Sequence, residues 1–245
     1  MDRMLYVAMS GAKETTLSQA TNANNLANTN TDGFQADLEQ FRSMPVFGNG
    51  FPTRVYALSE RPRTNFARGS FDHTGRDMDV AVNGDGWIAV RAPDGKEAYT
   101  RRGDLAVDVN GQLKTANGLP VMGNAGPIAV PEYEKLEVGA DGTISIKPVG
   151  GAPTEIVVVD RVKLVNPLTG QLEKGLDGLI HLKGGGEAEA DAKQRLAAGT
   201  LERSNVNAVD AMVNMIELSR RFEMQIKMMQ TAEKVDESAL TVMKG

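Results

Sequence analysis

The chain has 245 residues, of which 41% are hydrophobic, 24% are charged and 5% are aromatic. This length is enough for one or two hydrophobic cores. Cysteine is absent, which excludes disulfides, thiolate catalysis and zinc sites that need sulfur. The 27 basic and 32 acidic residues give a net charge of −5, which provides no positive field for a polyanion and argues against nucleic-acid binding.

The first predicted element is a helix over about residues 3–28, within an N-terminal segment that we place at 1–34. Asp2 is a candidate cap for its start, and the turn formers of residues 29–33 end it. The apolar run at residues 4–9 is too short for a secretory signal, so we expect the N-terminus to be retained. Small and apolar side chains recur at helical steps: Leu5, Ala8, Met9, Ala12, Thr16, Ala23 and Leu26.

Residues 35–65 have weak periodicity and contain several prolines and glycines, so we predict an extended connector. Its basic residues stand out against an acidic chain: Arg54, Arg61 and Arg63, followed by Arg68. Two interpretations are open, namely a docking surface for an acidic neighbour or peptidoglycan, and an ordinary solvated face. We favour the solvated face, because charge runs are usually solvated.

Residues 66–199 are predicted to form an antiparallel β-rich domain, because glycine and proline separate many short β-rich runs. The strongest signal is Asn110-Gly111 between two alternating runs, which predicts a hairpin. Further strands are predicted near residues 78–82, 87–90, 98–101, 127–130, 143–146 and 155–165.

The last segment, residues 200–245, is predicted to carry an amphipathic helix from about residue 207 to 243, roughly 55 Å long. Asn207 and Asp210 resemble a capping box, and Ser204 and Asn205 are alternative caps. Six of the twelve methionines lie in this helix, which suits packing against non-identical neighbours. The predicted stripe consists of Val209, Met212, Met215, Leu218, Phe222, Ile226, Met229, Ala232 and Val235.

These elements define an α+β fold in which the two terminal helices form a coiled-coil-like layer beside a central β-rich domain. The shorter first helix can cover only part of the longer last one, and a soluble monomer rarely leaves so large an apolar patch exposed. We therefore predict burial against other subunits; the alternative is an intramolecular core with a methionine-rich seam. The predicted assembly residues are the apolar Leu5, Ala12, Leu26, Met215, Phe222, Ile226 and Met229, with Asn24, Asn25 and Asn28 for hydrogen bonds between helices.

The sequence predicts no enzyme, no cofactor and no metal. Ser70, Asp72 and His73 lie close together, but no nucleophile elbow surrounds them, and a polar turn entering a strand explains them better. The oxygen-bearing residues Asp77, Asp79, Asn83 and Asp85 suit calcium chemically, but their spacing does not fit an EF-hand loop. A secreted β-rich module that binds calcium or a glycan through these turns remains the alternative function.

Two motifs stand at opposite ends of the chain. The N-terminal motif is Ala23-Asn-Asn-Leu-Ala-Asn28 followed by Thr31-Asp-Gly-Phe34. The C-terminal motif is Leu201-Glu-Arg-Ser-Asn-Val-Asn207 followed by Ala211-Met-Val-Asn-Met-Ile216 and Arg220-Arg-Phe-Glu223. Both motifs resemble those of the flagellar rod, hook and hook-filament-junction family of axial proteins. The resemblance implies an inner helical layer of a tubular, torque-transmitting shaft, with the β domain outside.

The resemblance covers essentially the whole chain and favours a rod protein, because a hook protein would need an extra central domain. Residues 1–4 and 41–46 favour a proximal over a distal rod protein. The implied partners are other rod proteins and copies of the same chain, without nucleic acid or membrane insertion. The implied location is the basal body, in the rod that spans the periplasm, with export through the flagellar secretion apparatus and without a cleaved signal peptide.

Overall fold

A computed structural model describes residues 4–45, 55–59, 63–150 and 155–244. These residues form two compact units. The helical unit comprises the described parts of 1–29, 36–65 and 206–245, and the β-rich unit comprises 30–35 together with the described parts of 66–205. The predicted α+β class is confirmed, with two packed terminal helices and central antiparallel sheets.

The helical unit is built on α1 (Met4–Ala27) and α2 (Ala208–Lys244), which pack against each other in antiparallel orientation. The predicted N-cap of α2 is confirmed, because the Oδ1 atom of Asn207 accepts the backbone N–H of Val209 at 3.0 Å. The C-terminal end of α1 tightens, since the N–H of Asn28 is shared between the carbonyl of Asn24 at 3.2 Å and that of Asn25 at 3.1 Å.

The segment predicted as a connector forms two antiparallel strand pairs in the helical unit. β1 (Asp37–Leu38) pairs with β4 (Arg63–Thr64), and β2 (Phe41–Pro45) pairs with β3 (Val55–Ser59). The prediction of an extended chain is therefore incomplete, because the extended segments pair with each other. Arg54 and Arg61 of the basic stretch lie outside the described residues, as do residues 1–3 and 46, which favoured a proximal rod protein.

The β-rich unit is antiparallel in every strand pair of its described residues. In chain order the strands are β5 (Phe71–His73), β6 (Val80–Asn83), β7 (Trp87–Arg91), β8 (Glu97–Thr100), β9 (Leu105–Val107), β10 (Leu113–Thr115), β11 (Tyr133–Val138), β12 (Thr143–Pro148), β13 (Val157–Arg161), β14 (Leu164–Val165), β15 (Leu172–Lys174), β16 (Ile180–Leu182), β17 (Arg195–Ala198) and β18 (Thr200–Glu202). The main sheet has five strands in the order β14-β7-β8-β16-β15, and a second sheet has the order β11-β12-β13. Three further pairs are β9 with β10, β17 with β6 and β18 with β5.

Two predicted strands differ from the structure. Residues 127–130 make only isolated bridges, through Pro127 and Ala129. The long run at 155–165 divides into β13 and β14, because the backbone between them bonds elsewhere: Val162 donates to Gly142 and Lys163 donates to Met122. The core of the unit is mostly aliphatic and includes Val80, Ile88, Leu113 and Ile144, each completely buried.

The predicted Asn110-Gly111 hairpin is confirmed as the connection between β9 and β10. Asp108 organises the turn, since its Oδ1 accepts the N–H of Asn110 at 2.8 Å and that of Gln112 at 2.9 Å. Its Oδ2 lies 2.6 Å from the ammonium of Lys114. The hydrogen bond from Lys114 is the largest of the influences that lower the pKa of Asp108 to about 2.

The carboxyl group of Asp108 is expected to titrate at this lowered pKa. Its ionised carboxylate contributes to stability above the ordinary pKa of 3.8, and the contribution is lost as the pH falls through about 2. Carbon NMR of the side-chain carboxyl group measures this directly. A midpoint near 4 in the folded chain would contradict the described turn, and Asp108→Asn should leave the hairpin insensitive to pH in this range.

Gly103 is expected to tolerate no side chain. A Cβ atom placed there would lie 1.6 Å from the carbonyl oxygen of Val80, a backbone atom that cannot turn away. We expect Gly103→Ala to cost about 3 kcal/mol or more, which lowers the Tm by roughly 10 °C. Gly170→Ala is the matched control, because its Cβ meets no atom within 4 Å. Equal thermal unfolding of the two variants would contradict the described backbone packing.

Candidate assembly surface

The two helices meet along a seam of small and medium side chains. Ala8 and Ala12 of α1 and Ala211 and Ala232 of α2 are buried. Gly11 allows a close approach, since a Cβ atom there would lie 2.9 Å from Nε2 of Gln225. The α2 side of the seam also contains half-buried apolar residues, namely Met215, Leu218, Phe222, Ile226 and Met229. The seam therefore forms within one chain, with small residues buried and the larger side chains of α2 partly accessible.

Asparagine side chains make several hydrogen bonds within this unit, and the hydrogen bonds predicted for Asn24, Asn25 and Asn28 between assembled helices stay a prediction. Nδ2 of Asn25 donates to the carbonyl of Asp37 at 2.7 Å, and Oδ1 of Asn25 accepts the N–H of Asp37 at 2.9 Å, so Asn25 holds β1 rather than a helix. Between the helices, Nδ2 of Asn22 donates to the carbonyl of Ala211 at 2.7 Å, and Nε2 of Gln19 donates to the hydroxyl of Ser219 at 3.4 Å. The amide of Asn28 donates to the carbonyl of Asn24 within α1, at 3.0 Å.

Glu39 reinforces the attachment of the strands to α1. Its Oε1 accepts the hydroxyl of Thr21 at 2.8 Å, and its Oε2 accepts the hydroxyl of Ser18. Hydrogen bonds to an ionised carboxylate are stronger than those between neutral groups. The face of α1 that carries Ser18, Thr21 and Asn25 is therefore occupied by strands of its own unit.

α2 carries a second set of apolar side chains opposite the seam, on a side of the helix that also bears the exposed charged residues Arg220, Glu223 and Lys227. Its members follow three- and four-residue steps or their sums but lie roughly 80–240° around the helix from Phe222 at 100° per residue. All are exposed in the single chain, and Val213 and Ile216 keep 50% and 55% of their surface accessible. We call this set the outer face; it comprises Val209, Met212, Val213, Ile216, Met224, Met228 and Val235.

α2 also continues beyond the end of α1. Because Gly11 lies opposite Gln225 and the described part of α1 begins at Met4, the last turns of α2 have no described α1 residues beside them. Every side chain described from 233 to 242 is exposed, a length of about 15 Å at 1.5 Å per residue. The exposed apolar side chains there include Leu240 and Val242.

The stripe predicted for α2 therefore mixes two faces. Met215, Phe222, Ile226 and Met229 lie on the seam, while Val209, Met212 and Val235 belong to the outer face. On α1, Ala12 is buried and Leu26 is half-buried, whereas Leu5, Met9, Thr16, Ala23 and Asn24 are exposed. The missed residues Val213 and Ile216 have a detectable signal, which is a second apolar repeat out of phase with the first.

The oxygen-rich turn considered for calcium already carries guanidinium partners. Oδ2 of Asp79 accepts the hydroxyl of Thr74 at 2.6 Å and Nε of Arg76 at 2.8 Å. Asp85 pairs with Arg68 at 2.8 Å, and the hydrogen bond from Arg68 is the largest cause of its lowered pKa. In the described ranges no group of three or more acidic, histidine or cysteine side chains is arranged to hold a metal ion.

Ser70, Asp72 and His73 are not assembled as catalytic groups in the described structure. Asp72 and His73 are neighbours on β5. Oδ2 of Asp72 lies 2.6 Å from Nη2 of Arg203, and Nδ1 of His73 lies 3.4 Å from the hydroxyl of Thr200. Of the interpretation as a polar turn that enters a strand, the strand is confirmed at residues 71–73. Neither described helix is long and apolar enough to cross a membrane.

Comparison with known protein families identifies three matching segments. Residues 5–35 match the model described as flagella basal body rod protein, and residues 81–146 match the D1 domain model of flagellar hook protein FlgE/F/G. Residues 197–242 match the C-terminal model of flagellar basal body rod FlgEFG protein. The first and last of these contain the two described helices of the assembly surface.

Full-length relatives agree with the family models. The chain is 44% identical to flagellar basal-body rod protein FlgF of Escherichia coli strain K12 and 42% identical to FlgF of Salmonella typhimurium, each over 239 residues that cover 95% of both chains. It is 30% identical to flagellar basal-body rod protein FlgG of Borreliella burgdorferi, covering 95% of this chain and 96% of that protein.

The chain therefore belongs to the flagellar rod and hook proteins and, among them, to the family of flagellar basal-body rod protein FlgF.

Proposed function

We propose that this chain is a structural, non-enzymatic subunit of the flagellar basal-body proximal rod. It assembles with other rod proteins and with copies of itself into a tubular shaft that transmits torque and surrounds an export channel. The observation that carries the proposal is the outer face of α2, which stays exposed after the seam with α1 has formed. Exposed apolar patches of this kind mark protein interaction sites.

The geometry also supports an open assembly. Within one chain α2 has its seam against α1, while the outer face is on a different side of the same helix. A contact between the outer face and a different surface of a neighbour is heterologous, and such contacts build helical assemblies when the rotation does not close. Leu5, Tyr6, Met9 and Leu17, which are exposed on α1, supply such a second surface.

The test is complementation. A bacterium that lacks its own FlgF should regain swimming when it expresses this chain, and basal bodies purified from it should contain the chain. We also propose that the chain is exported without cleavage of a signal peptide. The same basal bodies test this, because the chain in them should begin at its first translated residues. Swimming without incorporation into basal bodies would refute the structural assignment.

The distal rod and the calcium-binding module remain the competing functions. Higher identity to FlgF than to the FlgG relative supports the proximal position. Arginine partners on Asp79 and Asp85 weigh against calcium, because a cation would have to displace them. Calorimetry of the full chain with calcium distinguishes the module, which requires a saturable isotherm, from the rod subunit.

A further inference from the structure

The chain passes between its two units four times, after residues 29, 35, 65 and 205. Three short segments of the β-rich unit adjoin these points, namely residues 30–35, 66–70 and 201–205. The first segment ends where one family match ends, at residue 35, and the third lies close to the start of another match, at residue 197. Hydrogen bonds and ion pairs of the β-rich unit join all three segments.

Asn205 links the three segments through one residue. Its backbone N–H donates to the carbonyl of Phe34 at 3.3 Å. Its Nδ2 atom lies 3.0 Å from Oε1 of Gln35 and 2.8 Å from the carbonyl of Ala67, in position to donate to both. Lys174 adds a further tie, since its Nζ donates to the carbonyl of Gln35 at 2.9 Å and lies 4.2 Å from the ring centroid of Phe34.

Glu202 links the same segments a second time, in the interior. Its carbonyl accepts the N–H of Gly33 at 2.7 Å, and Oε1 accepts the N–H of Gly69 at 3.0 Å. Its Oε2 pairs with Nη1 of Arg101 at 2.9 Å, and both side chains are almost completely buried. A buried network with this many partners fixes a single arrangement of its members.

Arg203, in the third segment, adds two ion pairs to these contacts. Its guanidinium lies 2.6 Å from Asp72 and 3.7 Å from Asp32 of the first segment. Its backbone N–H donates to the carbonyl of Ser70 at 2.8 Å. Burial is the largest influence on Asp32 and raises the pKa of its carboxyl group, while Arg203 acts in the opposite direction.

Two glycines allow the segments to approach this closely. A Cβ atom on Gly69 would lie 1.8 Å from the carbonyl oxygen of Arg203. Gly33 has a φ of +68°, and a Cβ atom there would lie 2.4 Å from the backbone nitrogen of Arg102. Residues with larger side chains cannot adopt this packing without moving the backbone.

We infer that residues 30–35, 66–70 and 201–205 form a mechanical clasp that shares force among the points where the chain leaves the β-rich unit, with Asn205 and Glu202 as its two central ties. This inference rests on the proposed function, since it assigns the clasp a role in a rotating shaft. Force applied to one segment is then carried by its bonds to the other two segments at the same time. No single strand is pulled away from the edge of its sheet alone.

Asn205→Ala tests the clasp without leaving a buried charge. In the purified full-length chain, we expect the N–H groups of Gly33, Gly69 and Arg203 to exchange with solvent faster by about tenfold, as the loss of two hydrogen bonds permits. Ile146→Val is the control, because it removes one methyl group from the core of the same unit at a comparable cost to global stability. In Ile146→Val, the exchange rates of those three N–H groups should change only in proportion to the change in global stability.

Swimming under increasing drag tests the mechanical role. Cells with Asn205→Ala should build rods and swim in dilute medium, but should lose speed more steeply than Ile146→Val cells as viscosity rises. Equal loss of speed in the two variants, or unchanged exchange at the three N–H groups, would overturn the clasp. Failure of the wild-type chain to enter rods would instead refute the proposed function, and the exchange experiment does not depend on it.

Discussion

Replacing Ile216 with Asp is expected to abolish swimming while the isolated chain stays folded. Ile216 is 55% exposed on the outer face, so the substitution should change the free energy of unfolding by only about 0.5 kcal/mol. In the assembled rod the same carboxylate would be buried against apolar side chains of a neighbour, which costs far more. Motility in soft agar and urea unfolding of the purified chain measure the two effects.

Ile216→Val is the matched control, because it keeps the outer face apolar and removes one methyl group. It should swim almost as the unsubstituted chain does. Wild-type swimming with Ile216→Asp would exclude this part of α2 from the subunit contacts. A large loss of stability in the isolated chain would also count against the account, since it would place Ile216 in an intramolecular core.

Replacing Glu202 with Ala is expected to give the largest loss of stability in the β-rich unit, about 3–5 kcal/mol. The substitution leaves the guanidinium of Arg101 buried without its carboxylate, and it removes the acceptor of the Gly69 N–H. Urea unfolding is convenient to follow, because Trp87 is the only tryptophan and its ring centroid lies 4.9 Å from the guanidinium carbon of Arg101.

The exposed pair of Arg68 and Asp85 provides the comparison. Like Glu202→Ala, Asp85→Ala removes the carboxylate partner of an arginine, here Arg68 at 2.8 Å. In contrast to the buried pair, 44% of the Arg68 side chain and 78% of the Asp85 side chain are exposed. The cost of Asp85→Ala should be below about 1 kcal/mol. Similar urea midpoints for the two variants would mean that burial of the Arg101–Glu202 pair contributes little.

Features encoded over a few residues were predictable from the sequence. The Asn207 cap, the Asn110-Gly111 hairpin and the two helices depend on neighbours along the chain, and the structure confirms each. Pairing between β2 and β3 was not predictable in the same way. It joins residues about 10–18 positions apart across a stretch without clear periodicity.

The candidate surface was only partly predictable, because helical periodicity does not say which side of a helix faces its own chain. Val209 and Met212 share three- and four-residue steps with Met215, yet the antiparallel packing of α1 covers only Met215. The roles of the asparagines depend on long-range geometry for the same reason. Asn22 and Asn25 lie one turn apart on α1 but bind α2 and β1, respectively.

Disulfide cross-linking inside assembled basal bodies tests the central claim most directly. The natural chain has no cysteine, so Val213→Cys, placed on the outer face, introduces a single thiol without background. In purified basal bodies this thiol should form disulfides with a neighbouring subunit that carries a cysteine on a different surface, either a second copy with Met9→Cys on the exposed side of α1 or another rod protein with a cysteine introduced on its own terminal helix. The same variant as a dilute purified chain should not. Absence of any cross-link in basal bodies that contain the chain would contradict the claim that subunits bury the outer face of α2.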